Sequence, residues 1–514
     1  MDDQQSIEQH QRNRHHPRHR PVSSEASASR SEDSKERLAY DDTTTEYRRV
    51  KAPIHAWNSD LYSTVIGKDE RQSSDDVITW RGKPITKVPS PSVTNEKDYE
   101  RSSIFYDSFI TMKHMTDLEK KRFHENYQTA VQTSNEDVKL DAPELLAKHN
   151  YKVEEHAVKT DDGYILTLFR IPARKENIAR NVRKPPVVFL MHGLLGSADD
   201  WLLMGPGKSL AYLLADAGFD VWLGNARGNK YSRRHVSKHP AQPDFWQFTT
   251  DEIALHDLPA MIDYVLNKTK QQKLVYVGHS QGTTAFFALT ATRPEYNDKI
   301  KMMYAISPMV YMDNVRSPLL RMIAANYRIH GGQKDDLLGK GEFKPSKSLI
   351  ELAGGKMCEY QIGCKETCSN VYFVMAGINP DDVDVSRIPV ILEHLPAGTS
   401  IRQVKHFGQT AATEEFRKYD YGVDINQEMY GQEEPPKYNM SKVRVPVALY
   451  YSERDWLSHP DDVNRLRKEL PNVKDAYKVP EKEFTHTDFQ FSKKAPEVVY
   501  KRLIKSIRTV NEEY

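Results

Sequence analysis

The chain has 514 residues, with 73 Lys and Arg against 72 Asp and Glu and a mean hydropathy of −0.70. That balance excludes a nucleic-acid binder as the first reading, because neutralising phosphates needs a local cationic excess. No apolar run approaches the ~20 residues of a membrane helix, and three cysteines, Cys358, Cys364 and Cys368, are too few for a disulfide framework and allow one local bridge with a spare thiol.

Residues 1 to about 100 are rich in Ser, Asp, Glu, Arg and His and carry no periodic apolar face. Such a segment cannot bury enough surface to offset chain entropy and reads as disordered. Its run "HQRNRHHPRHR" offers metal-ligating side chains, but the irregular spacing and the missing Cys or acidic partners favour a solvated basic tail. The first twenty residues lack the apolar stretch of a secretory signal. A weak helical pattern follows at Asp117–Gln132. The folded part starts near Val138, which divides the chain into a polar extension, 1–137, and one domain, 138–514.

"YKVEEHAVKTDDGYILTLFRIP" alternates like two strands around an Asp162-Gly163 hairpin turn. "PPVVFLMHGLLG" is a continuous apolar strand entering a glycine loop, and "SLAYLLADAG" is an apolar-periodic helix. Next come the strand "FDVWLG", the loop "NARGNKYSRR", the helix "EIALHDLPAMIDYVLNKT" and the strand "KLVYV". Late in the chain "VRVPVALYYS" and "VKDAYKVP" read as strands and "APEVVYKRLIKSIRTV" as a closing helix. Doubly buried strands alternating with helices predict an α/β fold, a mostly parallel sheet covered on both faces. From about 308 to 440 the pattern turns irregular and mostly helical, as expected of an insertion over the top edge of the sheet.

Gly278-His279-Ser280-Gln281-Gly282 fits G-x-S-x-G between a strand and a helix, the setting of a nucleophile elbow. Side chains at Gly278 or Gly282 would collide with the neighbouring strand and helix. The bland alternative is a serine capping a helix. A serine hydroxyl needs a base, and the base a carboxylate to orient it, in the chain order serine, acid, histidine. After "VPVALYYS" the loop "ERDWLSHPDDV" offers Glu453, Asp455, Asp461 and Asp462. Asp455 stands just past the strand end, whereas Asp461 and Asp462 look like the first turn of a helix. "EKEFTHTDFQF" then places His486 before the closing helix. His279 adjoins Ser280 and points elsewhere in an elbow. Charge building on a carbonyl oxygen needs preorganised N–H donors, expected from the backbones of Gln281 and of Leu194 in "MHGLLG".

These segments, together with "LADAGFDVWLGNARGNKYSRRH", "FWQFTTDEIALHDLPAMIDYVL", "EHLPAGTSIRQVKHFGQ" and "THTDF", closely resemble the acid lipases: the gastric, lingual and lysosomal enzymes and their insect relatives. The resemblance runs from about Asp141 to Ile507. It implies an α/β-hydrolase core with a mostly helical cap and lid, and hydrolysis of carboxylic esters of neutral lipids, triacylglycerols or steryl esters. It implies no cofactor, no colipase and a lipid ester substrate met at a lipid–water interface; no metal and a monomer are expected besides. The family's nucleophile, acid and base fall on Ser280, Asp455 and His486, and its oxyanion donors on Leu194 and Gln281. Its cap disulfide falls on Cys358 and Cys368, leaving Cys364 unpaired. A smaller ester or thioester as substrate, or a non-catalytic lipid binder, are the alternatives. The family implies a secreted or lysosomal enzyme. The polar extension in place of a signal peptide makes cytosol or a lipid-droplet surface the competing expectation, and sequons at Asn267 and Asn439 would serve glycosylation if the chain is secreted. Ser452-Glu453-Arg454 before the acid and Gln490 after "DF" depart from the family pattern.

Overall fold

The computed structural model describes residues 79–80, 83–84, 117–132, 135–177, 184–331, 338–346, 350, 370–377, 379 and 381–512. The chain divides into Met1–Pro89 and Ser90–Tyr514. In the first unit, Thr79–Trp80 (β1) pairs antiparallel with Lys83–Pro84 (β2). The rest of the stretch read as disordered, the His- and Arg-rich run, and the expected Cys358–Cys368 bridge with Cys364 lie outside the described residues.

The weak pattern at Asp117–Gln132 is a helix. It buries Tyr127 and Ala130 and packs against the turn Val385–Arg387 and the helix Ile388–His394. The next helix, Ala142–Lys148, starts on a capping box. Asp141 Oδ1 accepts from the Glu144 N–H at 3.1 Å and Glu144 Oε2 from the Asp141 N–H at 2.9 Å, so two otherwise orphaned donors are satisfied reciprocally.

Among the described residues nine strands form the main sheet: Glu154–Lys159 (β3), Tyr164–Ile171 (β4), Val187–Met191 (β5), Asp220–Leu223 (β6), Arg234–His235 (β7), Leu274–His279 (β8), Ile300–Ile306 (β9), Val447–Tyr451 (β10) and Val473–Lys478 (β11). The order is β11-β10-β9-β8-β5-β6-β4-β3, with β7 on β4. β6, β5, β8, β9, β10 and β11 pair in parallel in that order, and β4 runs antiparallel to β3, β6 and β7. Every residue of β5 and β8 is buried. Along β5, Val188 and Leu190 enter one apolar cluster while Val187, Phe189 and Met191 enter the other. A strand covered on both faces has no polar side to display, hence the unbroken apolar runs. β9, "IKMMYAI", is buried at every residue but the partly exposed Lys301 and was not anticipated as a strand.

The Asp162-Gly163 turn joins β3 to β4 as expected, with Gly163 at φ 98°. Asp162 also reaches the buried Arg227, which donates to it from both terminal nitrogens (2.6 and 2.9 Å) and to Asp257 Oδ1 from Nε (2.7 Å). The guanidinium lies 4.0 Å from the centre of the Tyr164 ring. Asp257 ends a wide helical turn, Ile253–Asp257, just before the helix Leu258–Thr269. Burial pushes its carboxyl up against the pull of Arg227. Arg227→Met should therefore destabilise the fold by about 3–5 kcal/mol, since it strands a fully buried carboxylate. Urea denaturation measures this directly, and a midpoint equal to the parent's would contradict it.

Between β9 and β10 the described elements are chiefly helical: Pro318–His330, Val371–Ala376, Ile388–His394, Ile401–Thr413 and Val423–Tyr430. The apolar stripe Leu319, Leu320 and Ile323 joins the cluster of Val188 and Leu190 and is plain core. Polar pins tie this insertion to the sheet's loops. Arg233 grips Glu342 with two bonds (2.7 and 2.9 Å), and His394 Nδ1 meets the buried Asp199 at 2.7 Å. Asn267 and Asn439 are both exposed. Among the described residues no helix is long and apolar enough to cross a membrane.

Candidate active site

Ser280 stands at the break between β8 and the helix Gln281–Thr292, at φ 55° and ψ −121°. Few non-glycine residues accept this conformation, and it persists only where the surroundings impose it. They do. A Cβ on Gly282 would lie 2.4 Å from the Met191 carbonyl oxygen, and one on Gly278 would lie 2.9 Å from the backbone of Gly282. The two glycines let strand, turn and helix close this tightly. The Ser280 N–H donates to the Ile306 carbonyl at 3.0 Å, fastening the elbow to β9. The side-chain hydroxyl donates to Met309 Sδ at 2.9 Å.

The structure brings Asp455 and His486 together. His486 Nδ1 lies 2.9 and 3.0 Å from the two oxygens of Asp455, and both side chains are buried. Asp455 Oδ1 also accepts from the N–H groups of Leu457 and Ser458, each at 2.8 Å. Burial works against ionisation of this carboxyl. His486, the Ser307 hydroxyl and the Ser458 N–H outweigh it, so the group is held below the usual carboxylate range. The ring of His486 faces that of His279, with centres 4.8 Å apart, and His279 Nε2 is 3.3 Å from the His486 carbonyl oxygen. His279 thus packs against His486. Among the described residues no hydrogen bond joins the Ser280 hydroxyl to His486. Such contacts are often loose before a substrate arrives.

The other acids of the loop are employed elsewhere. Asp462 Oδ1 takes the Asn314 side-chain amide at 2.7 Å, Glu453 pairs with Lys478 at 2.6 Å, and Asp461 is exposed beside His459. Asp461 and Asp462 do lie in the first turn of the helix Pro460–Glu469. Gln490, which departs from the family pattern, is buried and its Oε1 meets the Tyr372 hydroxyl at 3.4 Å.

The loop carrying Leu194 abuts Ser280: a Cβ on Gly193 would stand 3.0 Å from Ser280 Cβ. Leu194 and Gln281 are both buried, and no hydrogen bond among the described residues uses the backbone N–H of either. The loop is fixed by groups whose bracing contacts sequence reasoning did not foresee. His192 Nδ1 meets the Gly193 carbonyl at 2.8 Å, while its Nε2 faces the Ala226 N–H at 3.1 Å and Asn229 Nδ2 at 3.2 Å. One ring nitrogen donates and the other accepts, which only the neutral ring can do. Burial accordingly lowers this histidine to about 4. Asn225 holds the far side, its Oδ1 accepting from the Ala198 N–H at 2.9 Å. "NARGN", read only as a loop, is therefore the clamp of the loop that follows β5. Two asparagines in five residues after a buried strand were the available signal. From the insertion, the Ala397 N–H donates to the Leu195 carbonyl at 2.6 Å.

Residues 142–205 match the family described as a partial alpha/beta-hydrolase lipase region, and 186–486 match the alpha/beta hydrolase fold. "Lipase 3" of Drosophila melanogaster is 42% identical over 372 residues, 72% of this chain and 93% of that protein. The human "Lysosomal acid lipase/cholesteryl ester hydrolase" is 38% identical, over 72% of this chain and 91% of its own. The mouse "Gastric triacylglycerol lipase" is 37% identical, over 72% and 92%.

Proposed function

Because the chain belongs to the lipase family of α/β-hydrolases that includes the gastric and lysosomal acid lipases, we propose that it hydrolyses triacylglycerols or steryl esters with Ser280 as nucleophile, His486 as base and Asp455 as the acid that orients it. The observation that carries the reading is the buried Asp455–His486 pair in a site whose strained serine touches a glycine loop with unused N–H groups. Ser280 Oγ, turned away from Met309, attacks the ester carbonyl carbon as its proton passes to His486 Nε2. The carbonyl oxygen takes the negative charge and meets the N–H groups of Leu194 and Gln281. Collapse of that intermediate breaks the ester bond, and His486 returns the proton to the departing alcohol. Water then attacks the acyl-enzyme by the same route, releasing the fatty acid and restoring Ser280.

The insertion from about 308 to 440 is the cap. It encloses the acyl chain and shields the chemistry from water. The working unit is one chain, since every group in the site comes from it, and the substrate is met at a lipid–water interface.

The folded full-length protein treated with a fluorophosphonate should lose activity and carry the adduct on Ser280 in a peptide map. Hydrolysis measured across acyl chain lengths, below and above solubility, should rise once the ester forms droplets or micelles. An unlabelled Ser280 would overturn the nucleophile. Labelling with activity confined to dissolved short esters would replace the lipase by a carboxylesterase.

A further inference from the structure

Ser307 directly follows β9 at φ 52°, fully buried, with its N–H donating to the Tyr450 carbonyl at 2.7 Å. Its hydroxyl donates to Asp455 Oδ2 and lies 2.7 Å from His486 Nδ1. We propose that Ser307 is a positioning residue for the hydrolysis, one that selects the His486 tautomer able to accept the Ser280 proton. The inference rests on the catalytic roles assigned above to Ser280, His486 and Asp455.

The argument is a count of protons. A serine hydroxyl has one proton and two lone pairs. Asp455 Oδ1 is already occupied by the N–H groups of Leu457 and Ser458, so the serine proton goes to Oδ2. The hydroxyl oxygen then turns a lone pair toward His486 Nδ1 and can be satisfied there only by an N–H. With the proton on Nδ1, Nε2 is free to act as base. The carboxylate alone makes two similar contacts to Nδ1, at 2.9 and 3.0 Å, and the hydroxyl adds a third acceptor from a different loop, the one after β9. Pro308, the next residue, accepts from Ser458 Oγ at 2.7 Å, and Met309 holds the Ser280 hydroxyl. Three consecutive residues after β9 thus touch the acid with its loop, the base and the nucleophile.

The test uses full-length Ser307→Ala and Ser307→Gly. Both remove the hydroxyl, but glycine also accepts the left-handed backbone without strain, so it separates loss of the hydrogen bonds from damage to the fold. Both variants should lower kcat on a soluble short-chain ester roughly 10- to 100-fold, the size of one hydrogen bond to a charged group, with KM unchanged. On an Asp455→Asn background neither should lower it further, because the two residues act on one tautomer. The downfield proton NMR signal of the His486 Nδ1–H should move or vanish in both. Parental kcat in Ser307→Gly with a loss in Ser307→Ala would mean a purely structural serine and would overturn the proposal. So would additive losses on the Asp455→Asn background. If Ser280→Ala remained active, the catalytic assignment itself would fall; an inactive Ser280→Ala beside fully active Ser307 variants would remove Ser307 alone.

Discussion

Ser280→Ala is expected to lower kcat on a soluble ester by roughly 10⁴- to 10⁶-fold while the protein stays folded. The size follows from what the hydroxyl does: without it no acyl-enzyme can form, and water must attack unaided by a covalent step. The donors at Leu194 and Gln281 and the His486–Asp455 pair remain, so turnover should still exceed the uncatalysed reaction. The fold should be indifferent. The hydroxyl's hydrogen bond is to a thioether sulfur at 2.9 Å, a weak acceptor, and the elbow is held by backbone contacts that alanine keeps. Steady-state kinetics beside thermal unfolding checks both halves. Activity within about tenfold of the parent would take Ser280 out of the chemistry.

Asp455→Asn should cost roughly 10⁴-fold in kcat for a different reason. The amide that replaces the carboxylate has one acceptor and one donor end. The N–H groups of Leu457 and Ser458, both 2.8 Å from Oδ1, demand the acceptor. The NH₂ end must then face His486 Nδ1 and the Ser307 oxygen. A donor aimed at Nδ1 strips it of its proton and moves that proton to Nε2, where it blocks the base. The binding surface is untouched, so KM should hold while kcat falls. Near-parental turnover would pass the acid role to another carboxylate of the loop, and Asp462 is the buried one.

The parts of this site that could be read from sequence share a property: each is forced by local sterics or by chain order. Ser280 was legible because only glycines at 278 and 282 permit the turn, and Asp455 and His486 because loops after late strands are where the partners must fall. The hairpin at Asp162-Gly163 and the alternation of buried strands with helices were legible on the same grounds. Ser307 was not. A single serine after "MMYAI" carries no periodicity and no motif, and its meaning exists only once β9 and β10 pair side by side. His192 could be seen but not understood, since its role depends on Ala226 and Asn229 arriving from a distant loop. Asp117–Gln132 lay between these cases: its helix was visible, while its seat against Val385–His394 required the fold.

The bond from Ala397 to Leu195 and the contact between His394 and Asp199 have a consequence for anyone exchanging lids between relatives. On the roles proposed above, the roof of the site and the cradle for the oxygen share a backbone bond, so substrate preference and rate enhancement are expected to change together. A chimaera with a foreign lid inherits a slackened cradle unless the transplant also brings a partner for residue 195 and a histidine for Asp199. Altered selectivity in such hybrids would arrive together with slower turnover, and restoring those two fastenings is the first repair to make.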